Sequence, residues 1–440
     1  KTTTIVERIA FSVQNNTVNP DQILALTFSV DAAENLKTRL SEKNIPGNEL
    51  ITASTFHSFA KDIVENNYSE LGYVSKPTVI DKDELVYLLL KSIDNLEYFK
   101  SESYNRFPVK AIKSLLSIHN QFKQELFNED DLNDLKDYCL DIIDSSKDEN
   151  QDIYQQLYDA VNTFNYFKKI KKESSIIEYE DMIYGLWILI NSNADILPLL
   201  QDRYKFIIVD EFQDNNFAFS EIINKIAIHD NITVVGDDDQ SIYSFRGANS
   251  YNIHSFDRKH AKNLNYRKIE LIKNYRSNQK ILNIANSIIV NNKNRMEKEL
   301  LVSGFKNSPK NPVVLHIGDK SSQLQEILKV VNHFFNNKNN KTLAILCRTN
   351  FDCSLIAIML EQNKISHNYT NNKLFEKKII KDIVAFINLI ADSKYNLHSL
   401  IRLTKNKFSM TFQGNVIHLW NNNHHILSEC FNNKNLFNAD

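Results

Sequence analysis

Two short runs of this chain put carboxylates where a buried strand should end. In Phe206-Ile207-Ile208-Val209-Asp210-Glu211-Phe212-Gln213-Asp214, four apolar residues precede an Asp-Glu pair. Such a run reads as a strand buried on both faces. Ending it in adjacent carboxylates is costly unless a cation or a reacting water meets them, and ligands of open α/β sheets sit at that end of the strands. The pair suits nucleotide hydrolysis, one carboxylate holding Mg²⁺ and the next acting as general base toward water. A strand surfacing into an acidic turn would give the same letters. The second run, Ile232-Thr233-Val234-Val235, leads into Gly236-Asp237-Asp238-Asp239-Gln240-Ser241-Ile242-Tyr243-Ser244-Phe245-Arg246-Gly247. Only 8 of 440 residues are Gly, so two within one loop mark places where backbone geometry or close approach demands it. Gln240 could report on a phosphate, and Phe245 with Arg246 offers a stacking face and a cation. Three successive Asp would otherwise form a solvated turn.

Positioning such residues requires a particular order of elements. Residues 1–60 alternate: a helix from Thr3 to about Gln14, a strand Ile23–Phe28, a helix Asp31–Leu40 and a strand Leu50–Ser54. Alternation of this kind implies a parallel sheet. From about 76 to 194 the pattern is amphipathic helix, and the stripe Tyr179, Met182, Ile183, Leu186, Trp187, Ile190 reads as core. Strands resume at Tyr204–Val209 and Ile232–Val235, and a second α/β set is expected with strands Lys268–Ile272, Pro312–Ile317 and Thr342–Cys347.

Composition narrows the class. The length suggests about three domains, and 42% hydrophobic residues support real cores. A net charge of −2 gives no global basic field, so any nucleic-acid contact must be a local groove. Cys139, Cys347, Cys353 and Cys430 lack paired metal spacing, which makes a reduced, cytoplasmic setting the expectation. Apolar runs such as 85–90 and 186–190 are too short to span a bilayer, so no membrane contact is expected. No signal peptide is visible. The Asn and Lys cluster 336–341 reads as a linker or compositional bias.

The loop from Gly236 resembles the GDxDQSIYxWRGA motif of superfamily 1 DNA helicases of the UvrD/Rep type, and further motifs follow in that family's order. Lys1-Thr2-Thr3 resembles the tail of a Walker A loop, Leu24–Phe28 with Ala32-Ala33 the TFTNKAA motif, and Thr55-Phe56-His57 the TFH motif. Val209–Asp214 matches VDEFQD, Asn274-Tyr275-Arg276-Ser277 matches NYRS, and Leu343–Arg348 matches a strand of the second motor domain. The fold implied is α/β: RecA-like P-loop NTPase motor domains, parallel sheets flanked by helices, with a helical insertion. The divisions expected are 1–75 with 195–262 (first motor domain), 76–194 (helical insertion), 263–390 (second motor domain, incomplete) and 391–440 (start of a second insertion).

The resemblance also implies roles. Lys1 would pair with the β and γ phosphates of ATP and the Thr2 hydroxyl would ligate Mg²⁺. Asp210 would hold the Mg²⁺ shell and Glu211 would activate water. Gln240 would sense the γ-phosphate, Tyr275 would stack on adenine, and Arg276 would reach the γ-phosphate as charge builds. Phe28, Phe56, His57, Tyr243, Phe245 and Arg246 are the candidates for single-stranded DNA. The family's Asn-Lys in TFTNKAA is Val30-Asp31 here, and its Trp is Phe245. The activity implied is an ATP-dependent DNA helicase of 3′ to 5′ polarity, acting on single strands and single/double-strand junctions, with unknown protein partners. A helicase subunit fused to a nuclease, or a non-catalytic single-strand-binding fragment, are the alternatives. The glycines of Walker A would precede residue 1, and motifs resembling TIHxxKGLEF and VAxTRA are not found. The sequence therefore reads as truncated at both ends, and by itself is expected to show little DNA-stimulated ATPase.

Overall fold

The computed structural model describes residues 1–80, 82–93, 99–145, 151–228, 231–243, 251–292, 295, 296, 298, 301–303, 311–336, 342–369 and 383. The chain divides into two compact units, Lys1–Ser308 and Pro309–Asp440. The first unit opens with α1 (Thr2–Gln14), β1 (Ile23–Thr27), α2 (Val30–Glu42), β2 (Thr52–Thr55) and α3 (Phe56–Asn66). Next come β3 (Thr78–Val79), α4 (Lys82–Ile93), α5 (Glu102–Arg106), α6 (Pro108–Gln124), α7 (Glu129–Ser145), α8 (Gln151–Glu173) and β4 (Ile176–Ile177). The chain then returns through α9 (Tyr179–Ser192), α10 (Ile196–Arg203), β5 (Phe206–Val209), α11 (Phe217–Ile226), β6 (Ile232–Val234) and α12 (Tyr251–His260). β7 (Lys273–Asn274), α13 (Gln279–Ile289) and β8 (Leu301–Val302) close this unit. α14 (Lys320–Asn336) and α15 (Asn350–Gln362) belong to the second, where Val331, Ile356 and Leu360 form a small core.

The main sheet is parallel with order β2-β1-β5-β6. Its apolar runs are explained by their two destinations. Leu24, Leu26, Ile207 and Val209 point into a core shared with α3, α9 and α11, whereas Ile23, Ala25, Phe206 and Ile208 point into one shared with α1 and α2. Alternate side chains leave opposite faces of a strand, and both faces here are covered, so every residue of β1 and β5 is buried. The chain lays β2 on one side of β1 and, after the insertion, β5 and β6 on the other. The β1/β5 boundary is therefore the switch point of the sheet, the place where open α/β sheets take ligands.

The insertion has its own core, built from Leu85, Leu89, Ile112, Leu115, Leu116, Phe164 and Phe167 among others. A two-residue parallel pairing, Thr78 with Ile176 and Val79 with Ile177, closes its root. α9 lies within the span 76–194 expected for the insertion, yet Met182, Ile183, Leu186, Leu189 and Ile190 are buried in the core shared with the sheet. A Cβ on Gly185 would come within 3.2 Å of Val64 and Leu71, so this small residue lets α9 lie close against α3.

Several expectations are corrected. Tyr179 heads the apolar stripe of α9 but, at the first helical position, is 59% exposed. Trp187 of the same stripe is only half-buried, with the Lys225 ammonium 5.2 Å from its ring. In place of a strand at Lys268–Ile272, the extended pairing comes at Lys273–Asn274 against Leu301–Val302. Residues 312–317 and 342–347 carry no strand pairing among the described residues, and Val313, Val314 and Leu346 stay 79%, 77% and 94% exposed. An apolar run supplies a burial tendency, but a strand also needs a hydrogen-bonded neighbour. Phe245 and Arg246, most of the 336–341 cluster, Cys430 and the span 391–440 lie outside the described residues. Among the described residues no single helix is long and apolar enough to cross a membrane.

Candidate nucleotide and nucleic-acid site

The carboxyl edge of the sheet gathers the motifs. β1 runs into Phe28, β2 into Phe56-His57, β5 into Asp210-Glu211 and β6 into Val235-Gly236-Asp237, with Leu26 beside Val209 and Val209 beside Val234 in register. Short-range hydrogen bonds turn each strand into its next helix. Ser29 Oγ accepts from the Ala32 N–H at 3.2 Å to cap α2, and Thr55 Oγ1 accepts from the Ser58 N–H at 3.1 Å to cap α3.

Asp210 is 7% exposed; its N–H donates to the Leu26 carbonyl at 2.9 Å and its Oδ1 accepts from the Glu211 N–H at 2.9 Å. Burial, and then the Glu211 charge, push its carboxyl above the usual range. Glu211 sits in the left-handed region at φ 49° and ψ 45°, a conformation that a β-substituted residue rarely adopts. Strain of this kind persists where the surroundings over-determine it and clusters at functional sites. Here the surroundings are the Lys1 ammonium, ion-paired with Glu211 Oε2, and the Gln213 amide, which donates to the same oxygen at 3.0 Å. Burial raises the Glu211 carboxyl, but these two donors hold it below the ordinary value. Lys1 is the N-cap of α1 and Thr2 its first residue, so a helix amino terminus faces the same carboxylates.

Two residues that the motif carried without a role prove central. Gln213 is 1% exposed and divides its amide: Nε2 donates to Glu211 and, at 3.3 Å, to Asp214 Oδ2, while Oε1 accepts from the Asp237 N–H at 2.9 Å. It joins the end of β5 to the end of β6. A Cβ on Gly236 would come within 2.8 Å of Gln213 Oε1 and of Ile253 Cδ1, so any larger residue there would displace the ends of both side chains. Asp214 is 8% exposed, its Oδ1 is buried without a partner, and burial with the Glu211 charge pushes its carboxyl up to about 6. Nothing but membership of the VDEFQD run marked these two in the sequence.

Gln240 is exposed and donates to Asp237 Oδ2 at 2.6 Å. The three Asp before it do not form a solvated turn: Arg295 and Lys298 are ion-paired with them. Asn274 Oδ1 accepts the N–H groups of Arg276 and Ser277 at 2.9 and 2.8 Å, a local turn that presents Tyr275, 67% exposed, and an exposed Arg276.

Aromatic residues line the same edge in two groups. Phe28 and Tyr243, both partly exposed, lie with ring centroids 5.0 Å apart. His57, also partly exposed, meets Tyr179 edge-on at 5.9 Å and Phe219 at 5.5 Å. Phe56, expected beside His57 as a stacking residue, is 4% exposed and packs on Phe219 at 4.3 Å. Adjacent positions on a helix point about 100° apart, so the turn that exposes His57 buries Phe56. Tyr179 is the exposed aromatic that the sequence reading placed in the core.

Comparison with known proteins agrees with this geometry. The model of the UvrD/REP helicase N-terminal domain matches residues 1–261, and that of the UvrD-like helicase C-terminal domain matches residues 269–437. The chain is 29% identical over 407 residues to the ATP-dependent DNA helicase Rep of Buchnera aphidicola subsp. Acyrthosiphon pisum, covering 92% of this chain and 59% of that protein. It is 27% identical over 413 residues to the ATP-dependent DNA helicase PcrA of Staphylococcus aureus, covering 92% of this chain and 52% of that one. The chain thus spans between half and three-fifths of the length of these relatives. With a parallel sheet whose carboxyl edge carries the motif residues, and with family models matched on both halves, the chain belongs to the UvrD/Rep helicase family.

Proposed function

We propose that this chain is the motor core of a cytoplasmic ATP-dependent DNA helicase that moves 3′ to 5′ on single-stranded DNA and opens duplexes at junctions, in repair or replication. The observation that carries the reading is the Asp210-Glu211 pair at the switch point of the sheet, facing Lys1 at the amino terminus of α1. The residues fit Mg²⁺ and ATP: Asp210 is a buried carboxylate with a raised protonation range, and Asp214 offers a buried oxygen without a partner. When bound, MgATP supplies a phosphoryl group whose transfer to water needs positioning and charge stabilisation more than covalent help from the protein.

Asp210 and the Thr2 hydroxyl would hold the metal, and Lys1, paired here with Glu211, would serve the phosphates. With Lys1 engaged by the phosphates, Glu211 would be available to accept the proton of the attacking water. Gln240 and Arg276 would serve the γ-phosphate, and the exposed Tyr275 would stack on the adenine. DNA would lie along Phe28, Tyr243, His57 and Tyr179, while Phe245 and Arg246 keep the nucleic-acid role that the motif gives them; Phe56 stays in the core.

The test uses the full-length protein. Mg²⁺-dependent ATP hydrolysis stimulated by oligo-dT is expected, together with unwinding of a duplex carrying a 3′ single-stranded tail. Tyr179→Ala should weaken oligo-dT binding by about 1–3 kcal/mol, one base–aromatic stack, and leave ATP affinity unchanged. Binding of oligo-dT without any hydrolysis would replace the motor by a single-strand-binding protein.

A further inference from the structure

The three Asp of the Gly236 loop are bound by a segment far along the chain. Arg295 makes a two-pronged contact with Asp239, Nε to Oδ1 at 2.9 Å and Nη2 to Oδ2 at 2.8 Å. The Lys298 ammonium lies 2.6 Å from Asp237 Oδ1 and 3.3 Å from Asp239 Oδ2, and also donates to Asp238 Oδ1. The Met296 N–H donates to Asp238 Oδ2 at 2.6 Å. The carboxylate oxygens lie close enough together to suggest a metal cage, but Lys298 already bonds all three residues, so the cluster carries its own cation. These contacts are sheltered: the Arg295 and Asp239 side chains are 13% and 12% exposed, and that of Asp238 is 2%.

Asp237 is the node from which this arrangement reaches the hydrolytic carboxylate. Its Oδ1 is held by Lys298, its Oδ2 by Gln240 at 2.6 Å, and its N–H by Gln213 Oε1 at 2.9 Å. Gln213 in turn donates to Glu211 Oε2 at 3.0 Å. An unbroken chain of contacts therefore runs from Arg295, Met296 and Lys298 through the loop to Glu211. Without the two cations, three adjacent carboxylates would repel one another and spread the loop.

We infer that Arg295 and Lys298 are positioning residues for hydrolysis, setting Gln240 and, through Asp237 and Gln213, the Glu211 carboxylate. The inference rests on the helicase reading above.

The experiment compares Arg295→Ala, Lys298→Ala, Lys298→Arg and the exchange Asp239→Arg with Arg295→Asp, in the full-length protein with oligo-dT and ATP. The alanine variants should lose about 10- to 100-fold in kcat, the scale of a small misplacement of reacting groups, with KM for ATP within about twofold and the protein still folded at the assay temperature. Lys298→Arg and the exchanged pair should recover most of the loss, and hydrogen exchange over residues 236–241 should rise only in the alanine variants. Unchanged kcat in the alanine variants, or a loss that the exchanged pair does not repair, would overturn the inference. A wild-type protein that hydrolyses no ATP would instead overturn the helicase reading, while hydrogen exchange still reports on the clamp.

Discussion

At the carboxyl edge of the sheet, Asp210, Glu211 and Asp214 face one side-chain ammonium, that of Lys1; at the root of the helical insertion, Lys123 and Lys171 face Glu178 and Asp181. The second cluster is matched. Lys123 lies 2.8 Å from Asp181 and 3.5 Å from Glu178, and Lys171 lies 2.5 Å from Asp181 and 3.0 Å from Glu178. All four side chains are 11% exposed or less. Burial would raise the Asp181 carboxyl, but the two ammoniums hold it far below its usual range, and its carboxylates in turn keep the buried Lys123 firmly charged. His119, beside them, is driven by burial and then by Lys123 down to about 3, and stays neutral. The first cluster is unmatched: it has a carboxylate oxygen without a partner, two carboxyls pushed upward and a strained backbone at Glu211. Buried charge that is balanced and saturated ties α6 and α8 to α9; buried charge left in excess is what a site whose ligand brings positive charge would show.

Breaking the matched cluster should have the largest effect on stability. Lys171→Met leaves two buried carboxylates with one ammonium and should cost about 3–5 kcal/mol in urea unfolding, with the nucleotide edge unchanged in the fraction still folded. A cost near zero would mean that the cluster is wetter than its exposure indicates. The unmatched cluster should respond with the opposite sign. Asp214, through burial and then the Glu211 charge, and despite the opposing pull of Lys1, holds its proton more tightly in the native protein than in the unfolded chain. Its contribution is therefore lost as pH rises from about 4 to about 6. Asp214→Asn should gain on the order of 1 kcal/mol at pH 7, after allowance for screening, and nothing at pH 4. Equal differences at both pH values would assign the effect to packing instead. The smallest effect belongs to Lys169 and Glu173, which lie 3.8 Å apart and are 72% and 62% exposed. Lys169→Ala should change stability by under about 0.5 kcal/mol, and a larger change would undermine the use of burial to separate the two clusters.

The parts of this contrast differ in how far the sequence reveals them. β1, β5 and β6 are readable because their apolar runs are short, and the residues that end them are the ones their position at the sheet edge requires. Phe56 and His57 are not separable by type, since one step along a helix decides which of the two faces out. Tyr179 fits an apolar stripe by spacing alone, and only the packed structure shows that the stripe begins after it. Lys171 and Lys123 look like surface charges until α6, α8 and α9 come together. Arg295 stands 56 residues from Asp239, in a polar stretch without a periodic pattern, so no local signal points from one to the other. Periodicity reports which faces are buried; it does not report which distant charges meet.

The most direct measurement is single-turnover and steady-state ATP hydrolysis by Glu211→Gln in the full-length protein with oligo-dT, alongside nucleotide binding and urea unfolding. Turnover should fall by roughly two to four orders of magnitude, the usual worth of a general base, while MgATP affinity and stability stay near those of the unaltered protein. Near-normal turnover would contradict the assignment of the unmatched charge at the sheet edge to hydrolysis.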